Sequence, residues 1–296
     1  MKRTVIFLFC LITISSQAQV LNRVVTDDKG QKKLLGKTTK EGLQLAPFKD
    51  WYTKHYDAYL ENTNVIDAIK SELNSYSIKV FFGSWCGDSK RELPRFYKVL
   101  DEANFPMDQL DLIAVDRTAS AYKQAPNGEE KGLNIHRVPT FILYKDGEEV
   151  NRIVERPKES IERDLYNILI TKKYSPNYNA VSYINSLFNE HSLTELTEME
   201  ATLIPRLAEY VKGSRELNTY GYVLLRSGDA DKALYIFDLN AKIFPYKYNV
   251  HDSLGEAFFE TEAYTKALKA YYKVLSLHPE SENAKEMIEK INTKLN

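Results

Sequence analysis

The sequence predicts two units in series: an α/β domain, a central mixed sheet flanked by helices, and then an all-α array of repeated helices. Three observations carry this. Helical and strand-like segments alternate between residues 65 and 170, as in sheets covered by helices. A turn cluster at Tyr174, Pro176 and Asn177 breaks the pattern. After it every periodic segment is helical, and the last stretch repeats with a period of 34 residues.

The chain has 296 residues, room for two ordinary cores. With 40 basic and 41 acidic residues it lacks the cationic surplus that phosphate binding needs, so nucleic acid is not an expected partner. Two cysteines exclude a disulfide scaffold and a four-cysteine metal site. The histidines (His55, His136, His191, His251 and His278) show no ligand spacing, and no glycine-rich phosphate loop or serine elbow is present. No metal or cofactor is expected.

Residues 1–18 read as an export signal. Lys2 and Arg3 give the positive start, residues 5–14 the apolar run, and Ser16-Gln17-Ala18 the small-residue cleavage site. The run is shorter than the roughly 20 residues a membrane span requires. Cleavage after Ala18 would remove Cys10 and leave Cys86 without an intramolecular partner in an oxidising compartment, periplasmic or extracellular. No later segment is apolar enough to cross a membrane, so no membrane contact is expected after cleavage.

Residues 19–41 are a polar segment with turn-like clusters and receive no element. Phe48, Trp51, Tyr52, His55, Tyr56 and Tyr59 share helical spacing and give a helix face packed on a core. Residues 65–73 follow as a helix, 78–82 as a buried strand, 86–103 as a helix and 110–115 as a strand. Segments 141–144 and 149–154 flank Lys145-Asp146-Gly147, a hairpin signal, and 160–170 closes the domain as a helix. Residues 173–213 form a linker with helices. From 214 onward Gly221 recurs at Gly255, Ala233 at Ala267, Leu234 at Leu268, Phe237 at Tyr271, Ile243 at Leu277 and Pro245 at Pro279. This spacing resembles two tetratricopeptide repeats over residues 214–282, with residues 282–295 as the capping helix such arrays need. The resemblance implies a groove for a protein or peptide partner.

The chemistry is concentrated where the strand 78–82 runs through Gly83 and Ser84 into Trp85-Cys86-Gly87-Asp88-Ser89. A cysteine opening a helix meets the positive end of the macrodipole and unpaired N–H groups. Such surroundings favour a thiolate. Asp88 opposes that effect, whereas Lys90 and Arg91 assist it.

These residues resemble the thioredoxin family over residues 42–172. Trp85-Cys86-Gly87 matches its active-site turn, Pro94 its helix proline, and Val138-Pro139-Thr140 the loop whose cis proline faces the cysteine. The resemblance implies thiol–disulfide chemistry at Cys86, supported by Trp85, Gly87, Asp88, Ser89 and Pro139, on protein or peptide thiols and disulfides. His136 and Arg137 would lie beside Cys86. Two departures stand out: Ser89 occupies the place of the family's second cysteine, and Val80 that of its buried acid. Without a second thiol the two-electron dithiol cycle is closed. Ser89 instead offers a hydroxyl to hydrogen-bond the Cys86 sulfur. What remains is one-thiol exchange of isomerase or monothiol-reductase type; the alternative is a redox-inactive binding module built on the same fold.

Overall fold

The computed structural model describes residues 20–296. The export signal and Cys10 lie outside the described residues. The polar segment, given no element by the sequence, forms three short strands: β1 (Val24–Thr26), β2 (Lys32–Leu34) and β3 (Gly36–Thr38). β1 and β2 make an antiparallel hairpin, and β3 pairs antiparallel with residues 74–78 positions further on. Three-residue strands, two of them carrying lysines, have almost no periodicity of their own, so their signal is tertiary.

Helices α1 (Lys40–Leu43), α2 (Lys49–Asp57) and α3 (Thr63–Leu73) follow. The side chain of Asn62 caps α3 by accepting from the Val65 amide. Strand β4 (Ser77–Phe82), helix α4 (Gly87–Glu102), strand β5 (Leu110–Ala114), the hairpin β6 (Thr140–Lys145) and β7 (Glu148–Val154), and helix α5 (Ile161–Tyr166) complete the domain. Each expected element is present within a few residues of its sequence bounds. The last helix differs in kind, since after α5 the backbone widens into a π turn over Asn167–Thr171.

The sheet runs β3-β5-β4-β6-β7, with β4 and β5 parallel and all other pairs antiparallel. Because side chains alternate across a strand, β4 feeds both faces. Ile78, Val80 and Phe82 join Leu112, Phe141 and Leu143 in a core closed by Ile66 and Ile69 of α3, Phe96 and Leu100 of α4, and Leu165 of α5. Phe81, Ile113 and Ile142 point the other way, onto Ala125, Ile135 and Val138 of the long connection 115–139, and Trp85 and Cys86 pack at the edge of this smaller cluster. The thiol therefore sits where the sheet's thinner cover begins.

Beyond residue 178 the chain is all helix: α6 (Asn179–Glu190), α7 (Leu193–Glu198), α8 (Glu200–Tyr210), α9 (Arg215–Arg226), α10 (Ala230–Ile243), α11 (Tyr248–Glu260), α12 (Tyr264–Leu277) and α13 (Glu282–Leu295). Helices α10 and α12 start and stop at a common offset of 34 residues, the period of the sequence pattern. The repeated glycines explain the close approach within each pair. A Cβ on Gly221 would lie 2.7 Å from the Phe237 ring, and one on Gly255 would lie 2.9 Å from the Tyr271 ring. Ala233 and Ala267 are fully buried at matching places. No helix among the described residues is long and apolar enough to cross a membrane.

Candidate functional site

Cys86 is the N-cap residue of α4, with extended backbone (φ −88°, ψ 129°). Its amide donates to the Gly83 carbonyl at 2.8 Å, and its carbonyl accepts from the Lys90 amide at 3.0 Å. These bonds close the turn and start the helix. Gly83 is required here: its Cα lies against the Trp85 indole, and a Cβ would come within 2.6 Å of that ring. The indole is held in turn by Nε1, which donates to the Val115 carbonyl at 3.1 Å. Gly87 is exposed with open space around it, so no steric demand fixes that position. A further anchor went unread in the sequence: buried Ser84 accepts the Leu34 amide at 2.9 Å, tying the active turn to the N-terminal strands.

The sulfur is half-buried and free, the one cysteine among the described residues. Sγ lies 3.3 Å from the Val138 carbonyl, to which the thiol donates. The Val138–Pro139 peptide is cis, as the family resemblance implied, and buried Pro139 stands on the loop that faces Cys86. The Pro139 carbonyl is itself occupied, accepting the Glu155 amide at 2.7 Å.

Ser89 does not meet its expected role. It is fully buried, and its hydroxyl accepts from the Gly83 amide at 3.1 Å; no hydrogen bond from it to Cys86 forms among the described residues. It buttresses the turn from inside. The charge balance expected of the first helical turn also changes. Arg91 is spent on Asp88 at 2.5 Å and on Glu92 at 2.6 Å, so the guanidinium and the Asp88 carboxylate largely cancel each other beside the thiol.

Val80 is fully buried among apolar side chains, leaving no acid in the strand below the thiol. The ionisable group near Cys86 comes instead from the connection after β5. Lys123 is 5% exposed and has no carboxylate partner within ion-pair distance among the described residues. Its Nζ lies 2.7 Å from the Tyr122 hydroxyl and 4.1 Å from that ring's centroid. Burial first, and the charge of Arg137 next, push its pKa down to about 7, against the favourable fields of Cys86 and Glu155. Tyr122, also in the field of Cys86, is raised, chiefly by burial. Sequence pattern alone gives Lys123 no mark, because an isolated lysine in a loop reads as solvated.

His136 and Arg137 separate in role. The His136 ring is buried, its Nδ1 3.0 Å from the Asn134 carbonyl and its Nε2 without a partner. Burial drives its pKa down to about 3, so it is a neutral packing group. It meets Tyr178 and Tyr220 edge-on at centroid distances of 5.8 and 6.0 Å. Arg137 lies beside the site, pairing with Glu155 at 3.4 Å and donating to the Arg215 carbonyl at 3.1 Å. Both residues thus join the sheet domain to the helices. Among the described residues no group of three or more histidine, cysteine or acidic side chains is arranged to hold a metal.

A strand–turn–helix that presents Trp-Cys-Gly opposite a cis proline invites comparison with known proteins. Residues 59–167 match the Thioredoxin family model. Thioredoxin H2 of Arabidopsis thaliana is 28% identical over 92 residues, 31% of this chain and 62% of that protein. Thioredoxin-2 of Pyricularia oryzae is 30% identical over 89 residues, 30% of this chain and 44% of that protein. Thioredoxin-1 of Schizosaccharomyces pombe is 29% identical over 91 residues, covering 73% of its length. The first two relatives are thus matched over less than two thirds of their own length, and the helices after residue 178 lie outside the family match. Residues 59–167 of this chain are a thioredoxin domain.

Proposed function

We propose that this chain is an exported one-thiol exchange protein, in which Cys86 reacts with protein or peptide disulfides and the helical region recruits the partner. The observation that carries the reading is the placement of a free, half-buried cysteine at the N-terminus of α4 against the cis-proline loop. In the exchange the Cys86 thiolate attacks one sulfur of a disulfide, forming a Cys86–S–S–R bond as the other sulfur leaves as a thiolate. A second thiolate, from a substrate cysteine or a small thiol, then attacks the mixed disulfide and restores Cys86. With serine at position 89, no intramolecular thiol resolves the adduct. Long-lived mixed disulfides are the expected signature.

Trp85 and Pro139 shape the surface on which a substrate backbone would lie, Gly87 leaves it open, and Asp88 with Arg91 sets a near-neutral charge at its edge. Export places the reaction in a periplasmic or extracellular space, where disulfides persist. The helices of residues 214–282 are read as two tetratricopeptide repeats capped by α13. Between α10, α11 and α12 they leave a concavity of about 750 Å³, lined by apolar groups such as Leu234, Leu254 and Phe258. Lys242, Lys266, Lys269 and Lys273 stand around the apolar floor, so the concavity offers a peptide segment both apolar contact and positive charge.

The test is direct. Trapping from cells oxidised in situ should yield mixed disulfides with the wild-type chain and none with Cys86→Ala. A Ser89→Cys variant should shorten adduct lifetime by roughly tenfold or more, because a resolving thiol becomes intramolecular. Adducts that persist in Cys86→Ala would overturn the reading. The competing reading, a binding module without exchange, draws on the hydrogen bond that commits the thiol to the Val138 carbonyl; it predicts no adduct from either protein.

A further inference from the structure

The first helical turn of α4 and the cis-proline loop do not open to bulk solvent on all sides. A cleft of about 530 Å³ lies between them and the helical region, walled by Asp88, Arg137 and Glu155 on one side and by Lys212, Arg215 and Lys247 on the other. Its acidic groups are already engaged. Asp88 pairs with Arg91 at 2.5 Å and stands 3.7 Å from Arg156. Glu155 pairs with Arg137 and accepts the Tyr178 hydroxyl. Glu216, also in the wall, is 2% exposed, and burial raises its pKa. The cationic groups across the cleft are not engaged: Lys212, Arg215 and Lys247 are exposed, and none of their side chains has a carboxylate partner among the described residues, the Lys212 contact to Glu216 being made by its backbone amide.

A wall whose two carboxylates are already paired with Arg91, Arg137 and Arg156 therefore faces three cations of the helical region whose side chains are unpaired. We propose that this cleft is a subsite for the acidic flank of a peptide whose cysteine reaches Cys86. The proposal rests on the one-thiol reading for its purpose but not for its chemistry. Carboxylates entering the cleft would meet Lys212, Arg215 and Lys247 without displacing an existing ion pair, and partial enclosure by the two domains lowers the local screening. A basic peptide would find every carboxylate there either paired or buried. The helical region thereby selects among substrates by charge at the mouth of the site, separately from the apolar concavity between α10 and α12.

The experiment measures binding with no exchange step. A fluorescently labelled peptide with serine in place of cysteine and glutamates on both sides is titrated with the full chain, beside its lysine-for-glutamate counterpart. The acidic peptide is expected to bind about tenfold tighter, and ~0.5 M salt to remove most of the difference. The triple variant Lys212→Glu, Arg215→Glu, Lys247→Glu should reverse the preference, and Lys212→Gln alone should weaken acidic binding by a smaller factor. Equal affinities for the two peptides, or a preference unmoved in the triple variant, would overturn the proposal. Alkylation of wild-type Cys86 by neutral iodoacetamide reports on the thiol reading by itself, so failure of one is not mistaken for failure of the other.

Discussion

Lys123 is buried without a counter-ion beside a cysteine, and that has a measurable consequence for stability. Its pKa is about 7 in the folded chain, against about 10.4 for an unfolded lysine. Between those values the unfolded chain holds more protons, so folding stability rises with pH across the window from about 7 to about 10. Below pH 7 the burial penalty is present in full. Tyr122, Arg137, Glu155 and Cys86 are the charged or titratable groups in its field, and Glu155, the one carboxylate among them, pairs with Arg137 rather than with Lys123. Lys123→Met should raise stability at pH 7 by about 1 kcal/mol or more and flatten this slope, read from urea midpoints at several pH values. Cys86 and its Trp-Gly neighbours were legible because they share one short motif. Lys123 was not, since its environment is made by the fold around an ordinary loop lysine. Ser89 misled for a related reason: a hydroxyl three residues from a thiol reads as its partner, but backbone geometry turns it inward to the Gly83 amide.

At the scale of elements, the helical pairs depend on small residues at their crossings. Gly221 and Gly255 lie under the Phe237 and Tyr271 rings, where an added methyl cannot fit without moving an aromatic side chain. Gly221→Ala and Gly255→Ala should each cost about 1–3 kcal/mol through overpacking, a little offset by the better helix propensity of alanine. The loss should appear in the unfolding of the helical region, and Cys86 should keep its alkylation rate. The 34-residue recurrence made these helices legible, because each repeat must bury the same face in the same way. The N-terminal strands were not legible. β3 exists because β5 offers an edge to pair with, and buried Lys33 holds the segment by pairing with Asp116. Burial works against that carboxylate, but the Lys33 bond and the Arg117 and Thr118 amides outweigh it and leave its pKa below the usual value. No local pattern announces such an ion pair.

For the whole molecule, the junction between the domains is the place where acid should act. His136 is enclosed by Tyr178 and Tyr220, and its folded pKa of about 3 lies far below the 6.5 of a free histidine. A depressed histidine means that the unfolded or opened state takes up the proton first, so stability falls as pH drops from about 6.5 toward 3. His136→Gln should flatten that decline relative to wild type, even if it lowers stability at pH 7, as read by acid titration of near-UV dichroism. The same junction brings Gln124 within hydrogen-bond reach of the Arg226 carbonyl and Arg137 of the Arg215 carbonyl, so sheet and helices share their polar contacts around the thiol. This arrangement keeps Cys86 open to reaction in the folded chain. The most direct measurement is the iodoacetamide alkylation rate of Cys86 at pH 7 in the folded chain and in denaturant. Folded Cys86 is expected to react at a rate within about tenfold of the unfolded one, as a half-exposed free thiol should. A folded rate far below the unfolded one, with reaction only after unfolding, would contradict it.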